Sequence, residues 1–452
     1  MPPENPKLTV GSLNYTRLGL AMTIFWILLG AFAWALKGRA GQPTAQLLLS
    51  DFGESDSASS ALVGSVPGLL ALIFLPFLGY LSDKFRSPWG RRIPFLALTI
   101  PFVAVSMVGL AVSPSVGTYL DRALDWHPSG VQNNVVLCLA VFWGIFAFTD
   151  IVGNLIFGAL INDVVPSFMM GRVFGAVRAL TLLAGVLFNY YFFGQAETDY
   201  VPILLGIGFF VIVAIALMCA RIREGDYPPV APRLKGWPEF IGEAQSYFHE
   251  CFGSRFYLLL FVGWGLSTTA WNSVNYYSVF FASGFITPAH YVDLLTLTYS
   301  ISLLIAYPIG ILADHFHPLR VGIVALALYA LATLWSGFFA TTPLNFDISF
   351  VLHGVLSGAF LTATASLLQR LLPRLKFALF ASAAGVMVCL FNIIIGPLAG
   401  FVLNTAHHDC RSIFLLSSVQ SWLALIAIFV LYRAFLARGG DNHSASSTVR
   451  TD

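Results

Sequence analysis

A chain of 452 residues that is 57% apolar and only 10% charged departs far from the roughly 25% charged content of ordinary soluble domains. It has too few polar groups to cover a water-soluble surface, which excludes a soluble globular protein. The net charge of +2 excludes nothing by itself, because the placement of the charges carries the information.

Apolar stretches of about 20 residues recur along the chain, each long enough for a helix to cross the hydrocarbon core. Twelve spans are predicted, at 18–40, 58–82, 94–113, 135–160, 171–194, 201–220, 255–282, 291–312, 319–340, 348–370, 377–404 and 411–436. The first is too long for a signal-peptide core and reads as a retained anchor. A polar loop, Pro114 to Asn134, parts the third span from the fourth. The longest break, Arg221 to Arg255, mixes prolines with both signs of charge. It divides the chain into an N-terminal six-helix half (1–220), a cytoplasmic linker (221–254), a C-terminal six-helix half (255–438) and a polar, disordered tail (439–452). Within the linker, "WPEFIGEAQSYFHECF" suits a short amphipathic interfacial helix. Cys138, Cys219, Cys251, Cys389 and Cys410 are scattered, with no CxxC pair, so neither a metal site nor a disulfide framework is expected.

Lys and Arg placement sets the orientation. The densest cluster, "GYLSDKFRSPWGRR" from Gly79 to Arg92, follows an uncharged run from Ser57 to Ser82. With that loop cytoplasmic, only Lys37, Arg39, Arg122 and Arg411 fall on the other side, and both termini are cytoplasmic. The cluster has a weakened copy: "PFLGYLSDKF" closes the second span and "YPIGILADHF" closes the eighth, so Gly79 and Asp83 are answered by Gly310 and Asp314. A fainter echo pairs Pro166 with Pro373. Two six-helix halves with matching landmarks describe a transporter whose site lies between the halves. Gly79 permits close helix approach, Asp83 suits a neighbouring helix N-terminus, and Arg91 and Arg92 are expected to pair with Asp83 or Asp163. The loop then reads as a cytoplasmic gate, the alternative being a basic patch that sets topology and binds anionic lipid.

Charges inside a bilayer are costly enough to need a reason. Asp150 in "FAFTDIVGN" and Arg178 in "GAVRALT" lie almost equally far from the turn at Asp163–Pro166, which predicts a pair at one depth. Asp150 is the candidate carrier of the coupling cation and Arg178 the group that holds it ionised; a purely structural ion pair is the alternative. For Lys37 and Arg39 two readings stay open. Either they snorkel into headgroups, or the first helix continues to about Leu49 and Lys37 projects into a central cavity, where it would suit a sugar acid. Span 7 carries Trp264, Thr268, Trp271, Asn272 and Asn275 on one helical face, a mixture of amides and rings suited to sugar hydroxyls and C–H faces. Trp26 and Trp34, Asn154, Tyr299 and Asn392 extend the candidate lining from spans 1, 4, 8 and 11. His353, near the outer end of span 10, is read as a packing residue.

The loop pattern G-x-L-S-D-[KR]-x-x-x-x-x-G-R-R resembles the signature of the major facilitator superfamily. The longer "GYLSDKFRSPWGRRIPF", with "WAL" at Trp34–Leu36 and "DVVP" at Asp163–Pro166, is similar to the sucrose/proton symporters and, more distantly, to the glycoside–pentoside–hexuronide:cation symporters. The resemblance implies an all-α membrane protein of twelve helices in two halves, no cofactor, H+ or Na+ as coupling ion, and a bacterial inner-membrane monomer. Where the sucrose-type pattern has an arginine five positions before the helix-4 aspartate, this chain has Gly158, so sucrose itself is not carried over. The function expected is cation-coupled uptake of a sugar or glycoside. An efflux antiporter of amphipathic compounds and a non-translocating solute sensor are the alternatives. No nucleophile elbow, metal cluster or Walker-type phosphate loop is found, so an enzyme is not expected.

Overall fold

The computed structural model describes residues 8–51, 66–124, 134–192, 199–228, 247–284, 286–407 and 409–440. They divide into two compact units: residues up to Pro166 with Leu180–Val230, and Ser167–Ala179 with Ala231 onward. The start expected for span 2, most of the proposed interfacial helix and the tail beyond Gly440 lie outside the described residues.

In the first unit a two-residue hairpin, β1 (Thr9–Val10) and β2 (Leu13–Asn14), pairs antiparallel. It precedes α1 (Arg17–Asp51), α2 (Val66–Lys84), α3 (Ile93–Leu124) and α4 (Asn134–Val164). Then come α5 (Met170–Tyr191) and α6 (Tyr200–Arg221). Helix α3 packs on α4 and α6, α1 on α6 and α4, and α2 on α4. Two expected boundaries change. α1 runs to Asp51 rather than residue 40, with Pro43 inside it. α3 continues to Leu124 through Pro114, so much of the expected polar loop is helix. Both extensions carry prolines and polar residues, where a hydropathy reading stops but backbone hydrogen bonding does not.

The second unit begins within the chain of α5: its turns up to Ala179 belong there, and those from Leu180 onward belong to the first unit. The unit continues with α7 (Arg255–Thr269), α8 (Asn272–Ser283), α9 (Pro288–Phe316), α10 (Pro318–Phe339) and α11 (Pro343–Thr364). It closes with α12 (Leu367–Leu371), α13 (Phe377–Thr405) and α14 (Arg411–Ala437). Among the described residues, eleven helices are long and apolar enough to span a membrane. The twelfth span is the broken pair α7–α8, whose pieces of 15 and 12 residues are individually too short. The end of the proposed interfacial segment, residues 247–252, is helical, but Tyr247 is buried with its hydroxyl 3.3 Å from Ser382 of α13.

The break has a local cause. Ser267, Thr268 and Thr269 turn their hydroxyls back onto the carbonyls of Trp264 and Gly265 at 2.7–3.1 Å, a habit that bends helices. Carbonyls released by the bend then need donors, since lipid offers none. α14 supplies them: Gln420 Nε2 donates to the Leu266 carbonyl at 3.1 Å and Ser417 Oγ to that of Ala270 at 2.6 Å.

Gly310 of α9 crosses Gly171 and Gly175 at the start of α5. A Cβ on Gly310 would stand 2.5 Å from the Gly171 carbonyl oxygen, and small residues are what permit such contact between membrane helices. Gly310→Ala is therefore expected to lower the melting temperature of detergent-purified protein by several degrees. Gly396→Ala, where a Cβ meets nothing within 4 Å, serves as the control and is expected to leave it unchanged.

Candidate functional site

Two constellations occupy the first unit. The deeper one is built on Lys37, whose side chain is 0% exposed. Its Nζ lies 2.9 Å from Asp150 Oδ1, 4.0 Å from the centre of the Phe146 ring and 4.5 Å from that of Trp34. Glycine makes room for both rings: a Cβ on Gly41 would fall 2.4 Å from Phe146, and one on Gly153 2.0 Å from Trp34. Asp150 keeps 33% exposure. The pair is thus asymmetric, with its cation sealed and its carboxylate partly exposed. Asn154, one turn beyond Asp150 on the same face of α4, is exposed.

The expected pairing of Asp150 with Arg178 is replaced by pairing with Lys37. Equal distance from a turn fixes depth, but the partner is set by which helix face is opposed, and the extension of α1 past residue 40 brings Lys37 there. Arg178 falls in the second unit, where its Nη2 runs past Gly358 of α11. Lys37 does not snorkel. Arg39, half-buried, lies against Gly185 of α5, where a Cβ would come 3.2 Å from its Nε. Trp26 sits under Arg221, at the end of α6 and 5.9 Å away, about 16 Å along α1 from Lys37. It lies apart from the Lys37 site.

The second constellation is the charge cluster of the α2–α3 loop. Arg91 grips Asp163 with two bonds, Nε to Oδ2 at 2.9 Å and Nη2 to Oδ1 at 2.8 Å. Arg92 donates to Asp163 Oδ2 at 3.0 Å, to Ser82 Oγ at 2.6 Å and to Asp83. Both guanidiniums are buried, and Gly79 and Asp83 are buried beside them in α2. Bidentate, charge-assisted bonds of this kind are among the strongest that side chains form. Two members were not expected from sequence. Glu224 accepts the backbone N–H groups of Arg91, Arg92 and Ile93 at 2.7–2.9 Å, capping α3. Gly90, at φ +102°, lets that carboxylate approach. Tyr227 donates to Glu224 at 2.9 Å and lies beneath Arg91. Burial, with Asp163 and Glu224 alongside, pushes the Tyr227 phenol far up, so it remains a donor. The only sequence trace of these two was the charge-rich "REGDY" after the sixth span.

In the second unit the copied motif is assembled differently. Asp314 accepts the backbone N–H groups of Gly171 and Arg172 at 2.7 and 2.9 Å, and Arg370 Nη2 at 2.6 Å. The carboxylate expected at a helix N-terminus is therefore Asp314, facing the start of α5, where the macrodipole favours it. Asp83 is instead held by arginine side chains.

The amide face expected on span 7 is divided by the break. Trp271 is 7% exposed and packs on Tyr329 and Phe360, so its ring is core rather than lining. Asn272 Nδ2 donates to Asn392 Oδ1 of α13 at 2.6 Å. Asn275 is exposed and meets His353, which joins Tyr329, whose hydroxyl in turn meets Ser417. Tyr299 is half-buried on α9. The missed members Ser417 and Gln420 left a legible sign, a polar stripe in "LLSSVQSW" within an otherwise apolar span.

The asymmetry of the Lys37–Asp150 pair has a measurable consequence. Asp150→Asn leaves a sealed ammonium that must lose its proton or stay unpaired. Lys37→Met leaves a carboxylate that can take a proton or water. Thermal melts in detergent are expected to show Asp150→Asn as clearly the more damaging, with Lys37→Met largely rescuing it in the double variant.

No family model matches the chain. Solved structures resemble it over nearly its whole length. The major facilitator superfamily proton:xylose symporter XylE, bound to 6-bromo-6-deoxy-D-glucose, shares 13% identity at a TM-score of 0.67, covering 92% of this chain and 96% of that one. A bacterial homologue of the iron transporter ferroportin, outward-facing, shares 14% at 0.72 over 91% and 99%. The Escherichia coli fucose:proton symporter FucP shares 14% at 0.65 over 91% and 99%. At such identities the likeness establishes architecture, and the chain has the all-α major facilitator fold.

Proposed function

We propose that the protein is a secondary transporter that couples uptake of a sugar or glycoside to a cation, most simply a proton, by alternating access in the bacterial inner membrane. The observation that carries this reading is the Lys37–Asp150 pair, a partly exposed carboxylate beside a sealed cation. A proton on Asp150 cancels the attraction that holds the pair. The energy of separating the two side chains then depends on whether the proton is bound, which is what coupling requires. Asn154 beside Asp150 and Asn275 on α8 supply hydrogen-bonding groups suited to hydroxyls. XylE and FucP support a sugar as cargo. The ferroportin homologue points elsewhere, but among the described residues no group of three His, Cys, Asp or Glu side chains is placed to hold a metal ion.

The two motif copies act as cytoplasmic latches in this reading. One ties the α2–α3 loop to α4 and to the start of the linker through Arg91, Arg92, Asp163 and Glu224. The other lets Asp314 hold the first turn of α5. Each consists of short charge-assisted bonds that fix a loop or helix start in place.

Proteoliposomes with an acidic exterior test the reading, using labelled sucrose, xylose, fucose and glucuronate. At least one is expected to accumulate above its external concentration and to be released by a protonophore. Asp150→Asn is expected to keep exchange of that compound while losing accumulation. Unaltered accumulation in Asp150→Asn would remove it as the coupling residue, and no uptake of any compound would remove the sugar reading.

A further inference from the structure

The helix break anchors a series of side chains that the ion pair does not involve. Asn275 Oδ1 lies 3.1 Å from His353 Nε2, and His353 Nδ1 lies 3.0 Å from the Tyr329 hydroxyl. That hydroxyl is 2.9 Å from Ser417 Oγ, which donates to the Ala270 carbonyl at 2.6 Å. Each of these four contacts needs one proton. With the Asn275 oxygen at one end and the Ala270 carbonyl at the other, both ends are acceptors. A neutral imidazole, a phenol and a serine hydroxyl bring one proton each. Three protons cannot serve four contacts.

A doubly protonated ring would supply the fourth. His353 is 3% exposed, however, and the groups packed on its ring are Asn275 of α8, Tyr329 of α10 and Phe414 of α14, none of them charged. An uncompensated cation there is the costlier solution. The other solution is a half-turn of the Asn275 amide, whose oxygen and nitrogen ends are nearly equal in size. The NH2 group then donates to Nε2, Nδ1–H to Tyr329, Tyr329 to Ser417, and Ser417 to Ala270. Each proton is used once and every bond points the same way. The direction is set by the Ala270 carbonyl, which is an acceptor in need of a donor because the helix breaks there.

We propose that this one-way chain makes Asn275 a specificity-determining acceptor. With its NH2 committed to His353, the exposed amide presents its oxygen, which receives a hydroxyl proton from a polyhydroxy ligand. His353, Tyr329 and Ser417 are positioning residues that hold the amide in that sense. The proposal rests on reading the broken seventh span as part of a cargo site, but its geometry is measurable without cargo.

The measurement is 15N NMR of histidine-labelled full-length protein in lipid nanodiscs, with His353 assigned by its loss in His353→Gln. At neutral pH the ring is expected to be uncharged and to carry its proton on Nδ1. Tyr329→Phe removes the acceptor for that proton and is expected to move it to Nε2. Should His353→Gln fail to fold, the one resonance that changes in Tyr329→Phe identifies the ring. A wild-type ring protonated on Nε2 alone, or on both nitrogens, overturns the proposal, as does a Tyr329→Phe spectrum in which no histidine moves. Because no ligand is present, failure of the sugar panel and failure of this chain are separate results.

Discussion

A lysine sealed from water inside an apolar bundle stays charged only if a carboxylate is brought to it, and the first unit is organised around meeting that demand. α1 must continue unbroken past residue 40 to carry Lys37 to its place. Gly41 and Gly153 must lack side chains so that Phe146 and Trp34 can close over the ammonium. Asp150 must then stand within 2.9 Å while keeping a third of its side chain exposed. The same low dielectric that makes the isolated charge so costly makes its neutralisation responsive to a single proton. Structure and proposed coupling are two consequences of one electrostatic constraint.

The constraint recurs wherever polar groups are buried. Arg91 and Arg92 are enclosed, and each finds carboxylate oxygens on more than one side. Backbone groups obey the same rule: Glu224 satisfies the first N–H groups at the start of α3, Asp314 those of α5, and Ser417 and Gln420 the carbonyls released where α7 ends. In water each would be a minor contact. In a membrane-embedded fold they decide which helices can end, bend or approach, because no solvent stands in for a missing partner.

Sequence made the architecture legible because composition and span length are constraints on each residue's solvent, and those survive without coordinates. The charge loop and its copy were readable for the same reason, as was the expected pairing of Arg91 and Arg92 with Asp83 and Asp163. What sequence left hidden was partner choice between distant segments. Asp150 and Arg178 are almost equally far from one turn in sequence, but that says nothing of which helix face opposes which, and the group beside Asp150 is Lys37. Trp271 matched a helical face that the back-bonding hydroxyls of Ser267, Thr268 and Thr269 interrupt. Glu224 and Tyr227 lay in a segment whose composition reads as linker, and only tertiary contact reveals them as the cap of α3 and a support for Arg91.

The central claim is that Asp150, held by Lys37, is the group that takes up the coupling proton. Difference infrared spectroscopy of the reconstituted protein across a pH titration observes this directly, through the carbonyl stretch of a protonated carboxylic acid. A titrating band that is absent in Asp150→Asn is the result expected. An identical band in wild type and Asp150→Asn would contradict it.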